Sequence, residues 1–517
     1  MPRVRPAAAL GLFTVAAWLA YMAVFQVDDA YIVYRYAANL ASGDGLVFNP
    51  GTRVEGVSCF LWTVLLSPFA FFGLPLPVVA PVLTALAGLA MIVLLPATSA
   101  TITGRTEDGW DRLAPVLLLC HPSFAYWSVG GLETVPFALL MLLALHDQAR
   151  EIARGAGRRS ALWVGLATLV RPETPILAAA LLTGRWFDRR DREPQRTLRD
   201  LGLWSGVVAL FFLPFLAFRR LYFGAWLPNT YYAKTGQGLM SNLQAGVSYS
   251  REFLSSLVPG FGVANDLTAF LGMVLLVILL AYGLPRRGLR SASLLVLAIG
   301  AAVLFEGGDW MVLHRFWVPA LAPLCLLIAA LAREIATALP RFRPAVAGLM
   351  VLLALGSVTA AVMKRNGPNG LKVNAAGYRH AHHEIAEFLR QRARPDDLVA
   401  LMDVGIIGYE SGLPVLDISG LTEPEIARAP GGFLEKRYPV ESLLARSPRF
   451  FVLVDGFRID EAIMKDPSFL RDYRLVLERN HRYNWTPAQS YTLHVYERRQ
   501  EDQRGAAAPV TRDLNRR

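Results

Sequence analysis

The sequence predicts an α-helical polytopic membrane protein with about eleven transmembrane helices and a C-terminal α/β domain. Composition is the first observation behind this. Of 517 residues, 54% are apolar and only 18% charged, with a mean hydropathy of +0.36, whereas soluble domains carry about 25% charged residues. The second is a series of apolar runs near bilayer length. The third is an arginine distribution that alternates from loop to loop.

Bilayer crossing takes about 20 apolar residues, fewer where polar residues break a helix buried in protein. Spans are predicted at residues 7–25, 77–98, 112–128, 132–147, 160–171, 173–184, 200–218, 266–284, 291–305, 316–334 and 345–363. The pair at 160–184 is broken by Arg171-Pro172-Glu173. The first run is read as a retained signal anchor, because its apolar core is long and no small-x-small site precedes Gln26.

Cytoplasmic loops of membrane proteins are enriched in Lys and Arg. With the N-terminus inside, 19 of the 28 basic residues up to position 363 fall on the cytoplasmic side, and 8 on the outer side. The net charge of +11 is therefore an orientation signal, and nucleic acid is excluded as a partner. Cys59, Cys120 and Cys325 make no CxxC or Cys/His pattern, which excludes a disulfide scaffold and structural zinc.

An odd number of spans sends the rest of the chain outside. Residues 1–363 form the membrane domain, with an outer loop at 26–76, and residues 364–499 form a periplasmic domain. That domain alternates strand-like runs (Leu398–Met402, Pro414–Ile418, Phe450–Val454, Tyr491–Tyr496) with a helical stretch around His382–Arg392. Residues 500–517 read as a polar, disordered tail. The location implied is a bacterial inner membrane, with membrane lipids as partners.

Unusual polar residues gather on the predicted outer side, as if in one site. Asp28-Asp29 directly follows the first span. Two adjacent carboxylates at a water–headgroup boundary raise each other's pKa, which suits one to take a proton from a hydroxyl nucleophile. The competing reading is an N-cap for a helix at 30–41. The pair would also accept a divalent cation (Mg, Mn or Ca), though two ligands do not make a site. Glu133, Arg171 and Glu173 lie between apolar spans, where ionisable groups are costly and usually functional; a structural Arg–Glu pair closing the broken helix is the alternative. Arg171, Lys234, His314 and Arg315 carry charge suited to a phosphate, or to lipid headgroups. Asn229, Tyr231 and Tyr232 suit a sugar, or an interfacial aromatic belt. Asp309 and Trp310 follow two glycines that permit close backbone approach or an ordinary turn.

Taken in order, these motifs resemble the GT-C superfamily of polyprenyl-phosphate-sugar-dependent glycosyltransferases. More narrowly, they resemble the branch that includes the mycobacterial terminal arabinofuranosyltransferases. The matching elements are Asp28-Asp29 with Tyr31 and Arg35, Gly45-Leu46-Val47-Phe48-Asn49, and Arg53-Val54-Glu55. Gly131-Leu132-Glu133, Arg171-Pro172-Glu173, Leu227-Pro228-Asn229-Thr230 and Gly307-Gly308-Asp309-Trp310 follow. In the outer domain, Asp403-Val404-Gly405, Gly408-Tyr409 and Asp417 with Gly420-Leu421 extend the series.

The resemblance implies inverting transfer of a sugar, arabinofuranose first, from a polyprenyl-phosphate donor. The acceptor would be a hydroxyl of a cell-envelope glycan, glycolipid or protein, with Asp28 or Asp29 as general base. Tyr31, Arg35, Glu55, Glu133, Glu173, Asn229, Tyr231, Tyr232, Asp309 and Trp310 would contact substrate. It also implies that segment 59–73 is a helix lying on the membrane. A lipid-sugar flippase is the alternative of another class. Transporters tend to show inverted repeats and midplane ionisable groups, and the sequence has no visible repeat.

Overall fold

The computed structural model describes residues 6–155, 157–189, 194–234, 238–258, 265–367, 370–482 and 490–499. The expected tail at 500–517 and the cytoplasmic-side Arg3, Arg5, Arg190 and Arg192 lie outside the described residues. The chain parts into two compact units. The first comprises Met1–Ala23, Val78–Leu216 and Leu239–Arg365; the second comprises Val24–Pro77, Ala217–Gly238 and Asn366–Arg517.

The first unit is helical. Among the described residues, six helical segments of the chain are long and apolar enough to cross a membrane: Leu76–Ile102, Pro194–Tyr222, Asp266–Gly283, Leu289–Glu306, Arg315–Ala338 and Pro340–Arg392. Their burial separates them. The apolar window of Arg315–Ala338 is 83% buried, so this helix is interior, whereas that of Pro194–Tyr222 is 11% buried and leaves an apolar surface that only lipid satisfies. Other expected spans appear as shorter helices, and proline accounts for their division. His121-Pro122 splits one into Leu113–Cys120 and Pro122–Trp127, and Arg171-Pro172 separates Arg159–Thr168 from Thr174–Arg189.

The predicted cytoplasmic arginines are more than surface charge. Arg185 is fully buried and donates to Glu151 at 2.7 Å, to Asp200 at 2.6 Å and to the Gly157 carbonyl at 3.0 Å. Arg189 shares Asp200, and Glu151 also accepts from the Ser160 backbone and hydroxyl. Breaking one member of such a network would strand a buried charge. No spacing in the sequence announces it, because the partners come from separate helices.

The second unit is built on a mixed five-stranded sheet. Its strands are β1 (Val399–Leu401), β2 (Val415–Asp417), β3 (Phe450–Val454), β4 (Tyr473–Arg482) and β5 (Ser490–Arg498), in the order β2-β1-β3-β5-β4. β1 pairs in parallel with β2 and β3, and β5 pairs antiparallel with β3 and β4. β1, β2 and β3 are buried along their whole length, as expected of parallel strands covered on both faces. β4 was not foreseen. Its charged residues mask the alternation of Tyr473, Leu475 and Leu477, and its pairing with β5 overrides that weak local signal.

Two helices from the predicted outer loop belong to this unit. Asp28–Ser42 ends on Gly43 at φ +89°, a left-handed cap that glycine adopts without strain. Phe60–Phe71 is apolar, burying Trp62 and Leu66 while exposing Leu65 and Phe71. One-sided exposure of this kind suits a helix lying in a lipid interface.

Candidate functional site

Asp28 occupies the first turn of the Asp28–Ser42 helix, whose N-cap, Val27, offers no side-chain cap. Its carboxylate serves another helix instead. The two oxygens accept the backbone N–H groups of Gly405, at 2.8 Å, and Ile406, at 2.7 Å, at the start of Ile406–Ser411. A Cβ on Gly405 would stand 1.9 Å from the Asp28 carbonyl oxygen, so glycine is required for close approach and not for its torsion angles. Burial, with the Asp403 carboxylate, pushes Asp28 up to about 7, while His382 and the Ile406 N–H act the other way.

Arg35 lies two helical turns further along. Its guanidinium donates to Phe48 O at 2.8 Å, Leu413 O at 2.8 Å, Asn49 Oδ1 at 3.1 Å and the Gly408 carbonyl. Asn49 in turn makes both backbone-type bonds to Val415, accepting its N–H at 3.0 Å and donating to its carbonyl at 2.7 Å. Val415 belongs to β2, an edge strand, so the amide closes an otherwise open sheet edge.

The other outer-loop motifs interlock around a single turn. Asp417 accepts from the backbone and hydroxyl of both Ser419 and Thr422, and from Gly420 N at 3.0 Å. The carbonyls of Gly420 and Leu421, thus presented, accept the Asn229 amide at 2.8 and 3.0 Å. Asn229 Oδ1 is buried and has no hydrogen-bond partner among the described residues. Glu55 forms a buried two-bond fork with Arg219, at 2.6 and 3.0 Å, and its carbonyl accepts Asn229 N. Sequence reasoning named Glu55 without this partner.

Asp29 is half-buried, unlike its neighbour. Tyr31 is buried edge-on to Tyr34, His383 and Tyr409. Beyond them lies a polar chain the sequence reading did not assemble. Asp403 Oδ2 meets His382 Nε2 at 2.9 Å and accepts from Tyr491 at 3.2 Å. His382 Nδ1 meets His481 Nδ1 at 3.3 Å, and His481 Nε2 meets Asn374 Oδ1 at 3.1 Å. The tripeptide Asp403-Val404-Gly405 was the available signal, since it carries both the Asp28 partner and this carboxylate.

Lys234 stacks on Phe433 at 5.6 Å, and Tyr231 is half exposed. Tyr232 carries Arg428 over its ring at 4.5 Å, and its carbonyl accepts from the buried Lys436 at 3.1 Å.

The remaining sequence-predicted residues belong to the first unit. Arg171 is buried, donating through Nε to Glu133 at 3.2 Å and through Nη1 to Glu173 at 3.1 Å, with its carbon 4.9 Å from the Phe316 ring centre. Arg315 pairs with Asp309 at 2.8 Å and lies over the Trp127 and Phe316 rings. Gly307 and Gly308, at φ +83° and +81°, turn the chain into this segment. Leu313 and His314 are also left-handed, at φ 60° and 48°, a strained pair held in place by packing. His314 lies 3.6 Å from Glu252 between the Tyr249 and Phe253 rings, and burial pushes its pKa down. Trp310 is half-buried.

No trio of His, Cys, Asp or Glu among the described residues is arranged to hold a metal ion. Asp28, with both oxygens engaged by N–H donors, is a poor ligand for one. The residues at Asp28-Asp29 therefore do not form a fitting cation site.

Comparison with known structures decides the fold. ArnT from Cupriavidus metallidurans, bound to undecaprenyl phosphate, superposes over 95% of this chain and 98% of its own, at a TM-score of 0.58 and 13% identity. The Archaeoglobus fulgidus oligosaccharyltransferase, in complex with Zn and sulfate, covers 85% of this chain and 67% of its own at a TM-score of 0.52 and 14% identity. The chain has the GT-C fold. A terminal β-(1→2)-arabinofuranosyltransferase of Mycobacterium tuberculosis is 27% identical over an alignment of 346 positions that covers 60% of this chain. The chain spans about half the length of that curated relative (53%). Residues 372–499 match a family described as a domain of unknown function (DUF8728).

Proposed function

We propose that the chain is a membrane glycosyltransferase that moves a sugar, arabinofuranose first, from a polyprenyl-phosphate donor to a hydroxyl acceptor. The acceptor is a cell-envelope glycan, glycolipid or protein on the outer, periplasmic face. The observation that carries this reading is the unequal use of the two adjacent carboxylates. Asp28 spends both oxygens on backbone N–H groups, while Asp29 keeps partial exposure on the same first turn. Asp29 is then the general base and Asp28 the residue that positions it.

In this reaction Asp29 takes the acceptor's O–H proton and the oxygen attacks the anomeric carbon. The bond from that carbon to the phosphate oxygen breaks with inversion, and polyprenyl phosphate leaves with the electron pair. A phosphate leaves without a dedicated general acid, provided cations stabilise its charge. Arg171 and Arg315 are assigned that role, with His314 and Lys234 as further candidates. Each arginine is oriented by carboxylates, Glu133 and Glu173 for one and Asp309 for the other, and is flanked by the Phe316 ring. Tyr31 packs against Tyr34, His383 and Tyr409 on the same helix as the base, while Tyr231, Tyr232 and Trp310 present aromatic faces suited to sugar rings. Arg35, Glu55 and Asn229 act as the scaffold for these groups, through the bonds described above.

Purified protein supplied with a panel of polyprenyl-phosphate sugars, with and without chelator, tests the reading. Release of polyprenyl phosphate coupled to acceptor glycosylation supports it. Donor movement across a vesicle bilayer without release would replace it with a flippase.

A further inference from the structure

Glu497 lies on β5 in register with Phe450 of β3 and Arg474 of β4. It ends a buried row, Leu493, Val495 and Glu497, at 0%, 0% and 2% exposure. Three arginines from different elements converge on it. Arg392 closes the Glu384–Arg392 helix and donates at 3.2 and 2.7 Å; Arg449 precedes β3 and donates at 2.8 Å; Arg474 donates at 3.0 Å. These partners hold the Glu497 carboxyl below its usual range against its burial.

One carboxylate offsets one guanidinium, so among the described residues about two positive charges remain uncompensated here. Gathering like charges is costly, and packing alone would have been served by an apolar residue at position 497. The arginines are reachable, with side chains 43%, 32% and 27% exposed for Arg392, Arg449 and Arg474. Several of their N–H groups are uncommitted among the described residues, and Arg474 Nε is buried without a partner. The cluster is also remote from Asp28. Arg449 N donates to the Leu398 carbonyl, and the Arg449 carbonyl accepts Arg498 N, at the amino-terminal edge of β1 and β3, whereas Asp403 and Gly405 follow the carboxyl-terminal end of β1.

We infer that Arg392, Arg449 and Arg474, gathered by Glu497, form a binding site for a phosphate dianion, either free or carried by a glycan. The planar guanidinium fork matches phosphate oxygens through paired charge-assisted hydrogen bonds, and a dianion supplies the charge the cluster lacks. The site is independent of the transfer reaction proposed above.

Titration calorimetry on the full chain in detergent, with inorganic phosphate, phosphomannan and dephosphorylated mannan as probes, tests this. Phosphate and phosphomannan are expected to bind with affinity that falls as salt rises, and mannan is not. Arg392→Gln and Arg449→Gln are each expected to weaken binding about tenfold or more, and Arg449→Lys less so because it keeps the charge. Binding of phosphate alone, or of phosphomannan alone, tells the two sources apart and supports the site. No binding of either anion, or unchanged affinity in folded Arg392→Gln, overturns it. Arg392 closes its helix at the surface, so that variant is expected to fold even if Arg449→Gln does not.

Discussion

Asp28 and Arg35, seven residues apart on one helix, hold opposite ends of the short helix Ile406–Ser411. Asp28 accepts the N–H groups at its start, and Arg35 donates to the carbonyls of Gly408 and Leu413 at its end. Each charge has the sign that a helix terminus attracts, negative at the amino end and positive at the carboxyl end. Two residues that look like members of a catalytic motif therefore work first as a clamp between the Asp28–Ser42 helix and the sheet.

That clamp predicts coupling. Arg35→Gln should strand several buried carbonyls and destabilise the second unit by about 3–5 kcal/mol. Asp28→Asn should cost about 2 kcal/mol, since the NH2 that replaces one carboxylate oxygen would face an N–H donor and leave it unpaired. The double variant should cost clearly less than the sum, because each single change already loosens the same helix. Thermal unfolding of the detergent-solubilised protein measures this, and simple additivity would refute the clamp.

Gly405→Ala should be among the most damaging small substitutions. The added carbon meets the backbone of Asp28, with the carbonyl oxygen at 1.9 Å and the carbonyl carbon at 2.6 Å, so no side-chain rotation relieves it. A loss of about 3 kcal/mol or more is expected, read as a lower unfolding temperature. Gly43→Ala, where a Cβ meets nothing within 4 Å, is the comparison. It carries only the strain of φ +89° and should lose less.

Asp29→Asn should leave unfolding unchanged and reduce sugar transfer by about 10²–10⁴-fold, the range of a general base. Asp28→Asn should reduce transfer together with stability. If folded Asp29→Asn retained full activity, the base would have to be sought elsewhere, with Asp403 the next carboxylate to test.

The second unit should lose stability as pH rises from 6.5 to about 8. Asp460 is fully buried, accepts Val454 N–H at 2.8 Å, and is pushed up by burial from 3.8 to about 8. The folded state thus keeps a proton that the unfolded state releases, and this contribution is present at low pH and lost as pH rises through about 8. Asp28, at about 7, acts in the same direction. His481 is held down at about 2 by burial, and its opposing contribution is lost only as pH falls below 6.5. Between pH 6.5 and about 8 the carboxyl groups therefore dominate, and above about 8 their contribution is fully lost. Asp460→Asn should flatten the decline in unfolding temperature across that interval; an unchanged slope would remove Asp460 as its source.

Composition, apolar runs and loop arginines were enough to specify a polytopic helical protein with an α/β domain after it, because each depends on local pattern and on the cost of placing polar groups in lipid. The ordered motifs were likewise legible as those of GT-C proteins. What each motif residue does was not. Asp28 was weighed as a cap for its own helix or as a base, yet it caps a helix 377 residues further along the chain. Arg35 was a candidate for substrate contact and Asn49 a member of a matching motif, and their hydrogen-bonding groups are spent on backbone carbonyls and an edge strand. The Arg185 network and the three arginines around Glu497 left no trace in spacing at all. Local pattern was enough for the kind of protein and for a set of candidate site residues. The folded chain shows which of these side chains are tied into the scaffold, because a charged group's surroundings depend on the partners that reach it through space, and those partners are supplied by segments far away along the chain.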